Sequence, residues 1–169
     1  MDHPKDIRLS HTLRPGDMGA LVSLHGRLYA REQGFDGTFE AYVAAPLAEC
    51  VLHPSPRQRF WLLHRDDELL GALALLEASP EEGQLRWFLL HPDLRGQGWG
   101  RRLLGDAIAH GRAAGFRNLF LWTVDALATA RKVYLAAGFT LTEELSHVLW
   151  GRRVNEQRYD LPLTTPEEA

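Results

Sequence analysis

The chain has 169 residues, of which 45% are hydrophobic and 24% charged, and its formal net charge is −3. That length suits one domain with a sizeable core, the composition is ordinary for a soluble globular protein, and the slight acidity argues against a nucleic-acid partner. A lone cysteine, Cys50, excludes an internal disulfide and a multi-cysteine metal site, and no apolar run is long enough for a membrane span.

Met1 to Ser10 is too polar for a secretory signal, so a cytoplasmic location is expected by default. Ile7 to Leu13 alternates as a strand does, and Arg14-Pro15-Gly16-Asp17 breaks it. Asp17 is placed to cap a helix whose Leu21, Leu24, His25 and Leu28 share one face, and Gly34 and Gly37 end it. Thr38 caps a second helical pattern through Tyr42, Val43 and Leu47 towards Val51. Cys50 on that pattern reads as a small buried hydrophobe in preference to a nucleophile. Beyond Pro54-Ser55-Pro56, Phe60 to His64 and Leu69 to Glu77 form a hairpin about the polar turn Arg65-Asp66-Asp67-Glu68. Ser79 to Gly83 leads into a fourth strand, Gln84 to Leu90.

A helix from Arg102 to Gly115 carries Leu104, Ala107, Ile108 and Gly111 on one face. Leu119 to Thr123 reads as a short buried strand, and Leu127 to Ala137 as a helix stopped by Gly138. Leu141 to Trp150 and Arg158 to Leu163 are the last strand candidates, and the polar tail beyond them is expected to be loose. No repeat or linker divides the chain, so one domain over 1–169 is expected, with its core at about 5–163. The order is β-α-α-β-β-β-α-β-α-β-β, an α/β architecture.

Between the fourth strand and its helix lies Arg95-Gly96-Gln97-Gly98-Trp99-Gly100-Arg101. A glycine-rich turn there exposes backbone N–H groups at a helix N-terminus, where the dipole favours an anion, and the arginines add charge. The spacing is not that of the triphosphatase loop, because no Gly-Lys pair occurs. It is not a dinucleotide turn either, since Arg101 or Leu103 stands where the third glycine belongs. It reads as Arg-x-x-Gly-x-Gly on Arg95, Gly98 and Gly100, the alternative being an ordinary glycine-rich turn.

That motif resembles the acyl-coenzyme A (CoA) loop of the GNAT N-acetyltransferases, whose α+β mixed sheet has this element order. The chain is particularly similar to the acetyltransferase domain that some bacteria carry fused behind a MarR-like regulator. His25-Gly26-Arg27-Leu28-Tyr29-Ala30, Glu32, Gly34, Asp36, Phe39-Glu40, Leu121-Trp122-Thr123 and Tyr134-Leu135-Ala136-Ala137-Gly138-Phe139 carry that similarity. No regulatory half is expected before Ile7.

The resemblance implies transfer of the acetyl group of acetyl-CoA to a primary amine of a small molecule or amino acid, by direct attack in a ternary complex. It implies that Arg95, Gly96, Gln97, Gly98, Trp99, Gly100 and Arg101 hold the donor phosphates. Main-chain groups of Phe88, Leu89 and Leu90 would pair with the pantetheine arm, and one N–H would polarise the thioester carbonyl. Tyr134, four residues before Gly138-Phe139, matches the family's Tyr-x-x-x-Gly-Phe and would be the general acid, the alternative being a core tyrosine. Arg131 meets a cofactor phosphate or stays solvated.

Two departures stand out. The asparagine that many members place seven residues before the tyrosine is Leu127 here. The usual carboxylate on the fourth strand also has no counterpart, because that strand offers Gln84 and Arg86. For the base, Glu40 in the acceptor lid is the candidate named, with His25, Glu82 and a water chain open. His25, Tyr29, Phe35 and Phe39 would wall an acceptor pocket, with Arg86 for a substrate carboxylate, or else the rings are plain core. His147 near Trp150 is left without a role. The scattered histidines give no metal motif. A non-catalytic acyl-CoA-binding module is the competing reading, and a homodimer is left open.

Overall fold

Phe60 to Leu63 and Leu69 to Leu76 are unbroken apolar runs inside Arg59–Arg65 and Glu68–Glu77, so strands made from them need cover on both faces. The computed structural model describes residues 6–163 and supplies that cover. Its elements are β1 (Ile7–Ser10), α1 (Asp17–Gln33), α2 (Thr38–Leu52), β2 (Arg59–Arg65), β3 (Glu68–Glu77) and β4 (Glu82–Leu90). A 3-10 turn at Pro92–Leu94 precedes α3 (Trp99–Ala113), β5 (Asn118–Val124), α4 (Ala128–Ala136), β6 (Thr140–Leu149) and β7 (Arg152–Pro162).

The seven strands form one sheet in the order β1-β2-β3-β4-β5-β7-β6. All neighbours are antiparallel except β4 and β5. Alternation along β2 sends Phe60 and Leu62 to one face, where they meet Leu21, Phe39, Val43 and Leu47 of α1 and α2. Trp61 and Leu63 go to the other, against Leu103, Leu104 and Ala107 of α3. The sheet is therefore the middle layer of three.

Three local expectations are corrected. Gly16, at φ 93°, is the residue before the first helix, and Asp17 is its first helical residue. The buried Asp17 carboxylate instead accepts from the Arg14 N–H at 2.8 Å and pairs with His64 Nε2 at 2.9 Å. Similarly Gly37 precedes α2, and Asp36 Oδ1 accepts from the Thr38 N–H at 2.9 Å. The last strand also starts at Arg152, not Arg158, because Arg152 to Gln157 pairs with β6 despite its polarity, and Glu156 and Gln157 pair with β5 as well.

Two irregularities open the middle of the sheet. Strands β4 and β5 pair only over Glu82↔Asn118, Gly83↔Leu119 and Gln84↔Phe120. The β3–β4 register shifts between Ala72 and Ala74, a bulge that places Trp87 and Phe88 opposite one residue. Trp87 has φ 51°, the left-handed region that bulky residues avoid.

Candidate active site

Past Gln84, the β5-facing edge of β4 has no strand partner, so its main-chain N–H and C=O groups line a cleft. On one side of the gap is a groove of about 360 Å³, walled by Phe88, Leu89, Leu90, Arg95 and Gly100 and by Ala126 to Ala130 and Val133. On the other is a chamber of about 120 Å³ reached from α1 and α2, walled mainly by aromatic rings. Tyr29, Phe88, Leu127, Ala130 and Tyr134 border both.

The groove runs to the N-terminus of α3. Gly96 and Gly98 have φ of 72° and 85°, conformations that side chains strain to adopt, and they turn the chain into the helix. Gly98 precedes the helix with no side-chain cap and no acid stands in the first turn, leaving its N–H groups available to an anion. A Cβ added at Gly100 would meet Leu90 and Phe88 at ordinary contact distance. Arg101 and Arg102 lie exposed beside this turn, and Arg102 stacks over the half-buried Trp99 ring at 5.0 Å. Gln97 donates to the Asp93 carbonyl, which braces the turn.

Arg95 does something its sequence position does not suggest. Its guanidinium forms a two-point ion pair with Glu32 of α1, at 2.8 and 3.2 Å, while Nε donates to the Leu90 carbonyl at 3.1 Å. It therefore ties the groove's rim to α1. Arg131 lies on the exposed side of α4 and borders neither cavity.

Tyr134 is buried, and its ring contacts Phe88, Phe139 and Tyr159 at centroid separations of 6.1 to 6.2 Å. Burial holds its phenol pKa far above the usual value, so the group keeps its proton. Tyr29, between the cavities, is pushed up to about 12 by burial first and then by Glu32.

In the chamber, Tyr29, Phe35, Phe39, Tyr42 and Trp150 form a contiguous cluster with ring centroids 4.5 to 6.0 Å apart. Its roof is tied down across the chain. The Asp36 N–H donates to the Trp150 carbonyl at 3.0 Å, and Arg152 reaches the Gln33 carbonyl. Trp150 and Gly151, at φ 53° and 79°, make the two-residue turn of the β6–β7 hairpin. Of the three described non-glycine residues at positive φ, two are thus tryptophans lining this chamber, and such strain gathers at functional sites.

Besides the hydroxyls of its tyrosines and of Thr123, the side chains of one arginine, one histidine, one glutamine and one glutamate line the chamber. Arg86 stacks its guanidinium over Trp87 and Tyr42 at 5.3 and 5.8 Å, and no described carboxylate pairs with it. Buried His25 hydrogen-bonds through Nδ1 to the Leu21 carbonyl at 2.9 Å; desolvation lowers its pKa to about 4 and keeps the ring neutral. Gln84 and Glu156 complete the set.

Glu40 is not brought to the site. Its carboxyl lies across Gly26 at the α1–α2 contact, on an exposed position that borders neither cavity, so it is not placed to act as base. Glu82 is held by Asn118 and Arg158 at 3.2 and 3.1 Å. His25, Tyr29, Phe35, Phe39 and Arg86 do come together, but Tyr42, Trp87, Trp150 and Glu156 join them without having been singled out as wall residues. The Trp-Gly dipeptide between two strands was the available sign for Trp150. Among the described residues no group of three His, Cys, Asp or Glu is arranged for a metal, and no helix is long and apolar enough to cross a membrane.

Comparison with known proteins gives this geometry a family. Residues 26–139 match the Acetyltransferase (GNAT) family. Mycothiol acetyltransferase of Thermobispora bispora is 32% identical over 168 residues, covering 96% of this chain and 48% of that protein. The chain spans about half, or less, of the mycothiol acetyltransferases it matches. An uncharacterized N-acetyltransferase of Schizosaccharomyces pombe is 28% identical over 87% of this chain and 91% of its own length. Among solved structures, yncA of Salmonella typhimurium with its cofactor acetyl-CoA superposes with a TM-score of 0.74 at 16% identity, covering 94% of each chain. The parted strands, the glycine turn and the matched residues lead to one conclusion: this chain belongs to the acetyltransferase (GNAT) family.

Proposed function

We propose that the chain transfers the acetyl group of acetyl-CoA to the primary amine of a small molecule that also carries an anionic group. The observation that carries this reading is the pair of cavities meeting at the β4–β5 gap with Tyr134 on their common wall. The groove fits the donor by its free β4 edge, its apolar wall and the uncapped helix end. The donor supplies an activated acetyl thioester.

The chain's own groups do the rest. A main-chain N–H of the Phe88 to Leu90 edge polarises the carbonyl, and the Tyr134 phenol gives its proton to the departing sulfur. Leu127 borders both cavities, so the contact an asparagine makes in many relatives is replaced by apolar packing. The chamber's small volume favours a small acceptor. Arg86 offers the anionic part of that acceptor a charge that nothing else described neutralises.

The test is thiol release from acetyl-CoA against amino acids, other amines, aminoglycosides and peptides, with thermal shifts by CoA alone. Release with small carboxylate-bearing amines is expected. Acetylation restricted to peptide or protein N-termini would overturn the acceptor class. A thermal shift with no release across the panel would favour a binding module.

A further inference from the structure

The proposed reaction needs a proton acceptor, because an alkyl ammonium stays mostly protonated near neutrality and its nitrogen pair is then unavailable. Glu40 lies outside the chamber, Glu32 is committed to Arg95, and Glu82 to Arg158 and Asn118. One carboxylate remains on the chamber wall among the described residues, that of Glu156. It stands on β7 opposite Val124 of β5, beside the strand whose parting from β4 opens the gap. No described arginine or lysine pairs with it. Its partner is His147 on β6, whose Nε2 meets Oε2 at 2.5 Å. The two side chains differ in exposure, 14% for Glu156 against 39% for His147, so the pair leads from the chamber to solvent.

We propose that Glu156 is the general base for the acceptor amine and that His147 is its positioning residue. Resting on the acetyl-transfer reading above, this gives that site its missing group. His147 donates from Nε2 to Oε2 and leaves Oε1 turned to the acceptor. The ammonium gives one proton to Glu156, which releases it to solvent along the His147 edge. The freed nitrogen pair forms the bond to the thioester carbon and the carbon–sulfur bond breaks. The thiolate takes the Tyr134 proton, and the second proton leaving nitrogen restores the phenol. Net, one proton is released per acetyl transferred. His25 is less suited, because a proton taken into its buried ring would have no counter-charge there.

The experiment uses Glu156→Gln, Glu156→Asp and His147→Ala, with kcat followed across about pH 6 to 10 and acceptor affinity of the free protein measured by calorimetry. The titratable or charged groups around Glu156 are His147 on β6, bonded to it, and, on the shared chamber wall, Arg86 on β4, Tyr42 on α2, His25 and Tyr29 on α1 and Tyr134 on α4. Glu156→Gln is expected to lower kcat about a hundredfold while acceptor affinity changes less than about tenfold. Its residual rate climbs with pH as the free amine fraction grows, beyond the wild-type plateau. Glu156→Asp recovers part of the rate, and His147→Ala loses about tenfold with donor affinity kept.

An unchanged kcat and pH profile in Glu156→Gln overturns the assignment. A raised acceptor KM with kcat intact does so too, making Glu156 an anchor for the ammonium. Should Glu156→Gln fail to fold by its melting curve, Glu156→Asp and His147→Ala decide the matter on the same readouts. A wild-type protein that binds CoA yet releases thiol with no acceptor removes the acetyl-transfer reading, and this inference with it. An active wild type with an equally active Glu156→Gln removes this inference alone.

Discussion

Tyr134 borders both cavities, and burial preserves its proton, as the proposed donation to a leaving thiolate requires. Tyr134→Phe should lower kcat about a hundredfold with donor affinity within about twofold, read by steady-state kinetics and CoA titration. Arg86 should act on binding instead. Arg86→Gln is expected to raise the acceptor KM about tenfold or more and to move kcat and donor KM far less. His25 makes a prediction about stability. Its folded pKa of about 4 lies below the ordinary 6.5, so the unfolded chain binds the extra proton first. The stability it preserves is complete above about pH 6.5 and is lost as pH falls towards 4, an effect on the order of 3 kcal/mol. Denaturant unfolding at both ends of that window should show a steeper loss in the wild type than in His25→Gln.

At the level of elements, the entry into α3 depends on a backbone that a side chain resists. A Cβ at Gly98 would meet nothing within 4 Å, so steric contact is not the issue. The cost of Gly98→Ala comes from φ 85° alone and is expected at about 1 to 2 kcal/mol by thermal or chemical unfolding. Weaker CoA binding should accompany it as the turn relaxes. This element was legible in the sequence because its demands are local: glycines where φ must be positive, next to a helix whose apolar face repeats. The start of β7 was not, because Arg152, Arg153, Asn155, Glu156 and Gln157 show no strand alternation of apolar and polar residues. They are held extended by β6, joined by β5 from Glu156 onward, partners that local composition does not reveal. The missed strand carries Glu156, so the error in an element's edge hid a residue of the site.

For the molecule as a whole, two cavities that meet at one gap, read with the proposed function, predict direct transfer. Intersecting initial-velocity lines are expected, with no acetylated enzyme detectable by mass spectrometry. Cys50 should take no part. Its thiol donates to the Leu47 carbonyl, borders neither cavity, and is pushed up to about 11 by burial. Cys50→Ala should keep kcat within about twofold, and a large loss or an acetylated thiol would contradict direct attack.

By itself the sequence determined the order of elements, the central hairpin, the glycine turn before α3 and the tyrosine ahead of Gly138-Phe139. Each rests on periodicity, φ requirements or fixed spacing within a few residues. The tertiary structure alone decided the aromatic chamber. Its walls come from α1, α2, β4, β5, α4 and the β6–β7 hairpin, and the strain at Trp87 and Trp150 exists only once those pieces pack together. It also paired Arg95 with Glu32 at the groove's rim, and put Glu40 outside both cavities and Glu156 on the chamber wall. Which charges meet depends on chain segments far apart in sequence being brought within a few ångströms, and no local pattern encodes that distance.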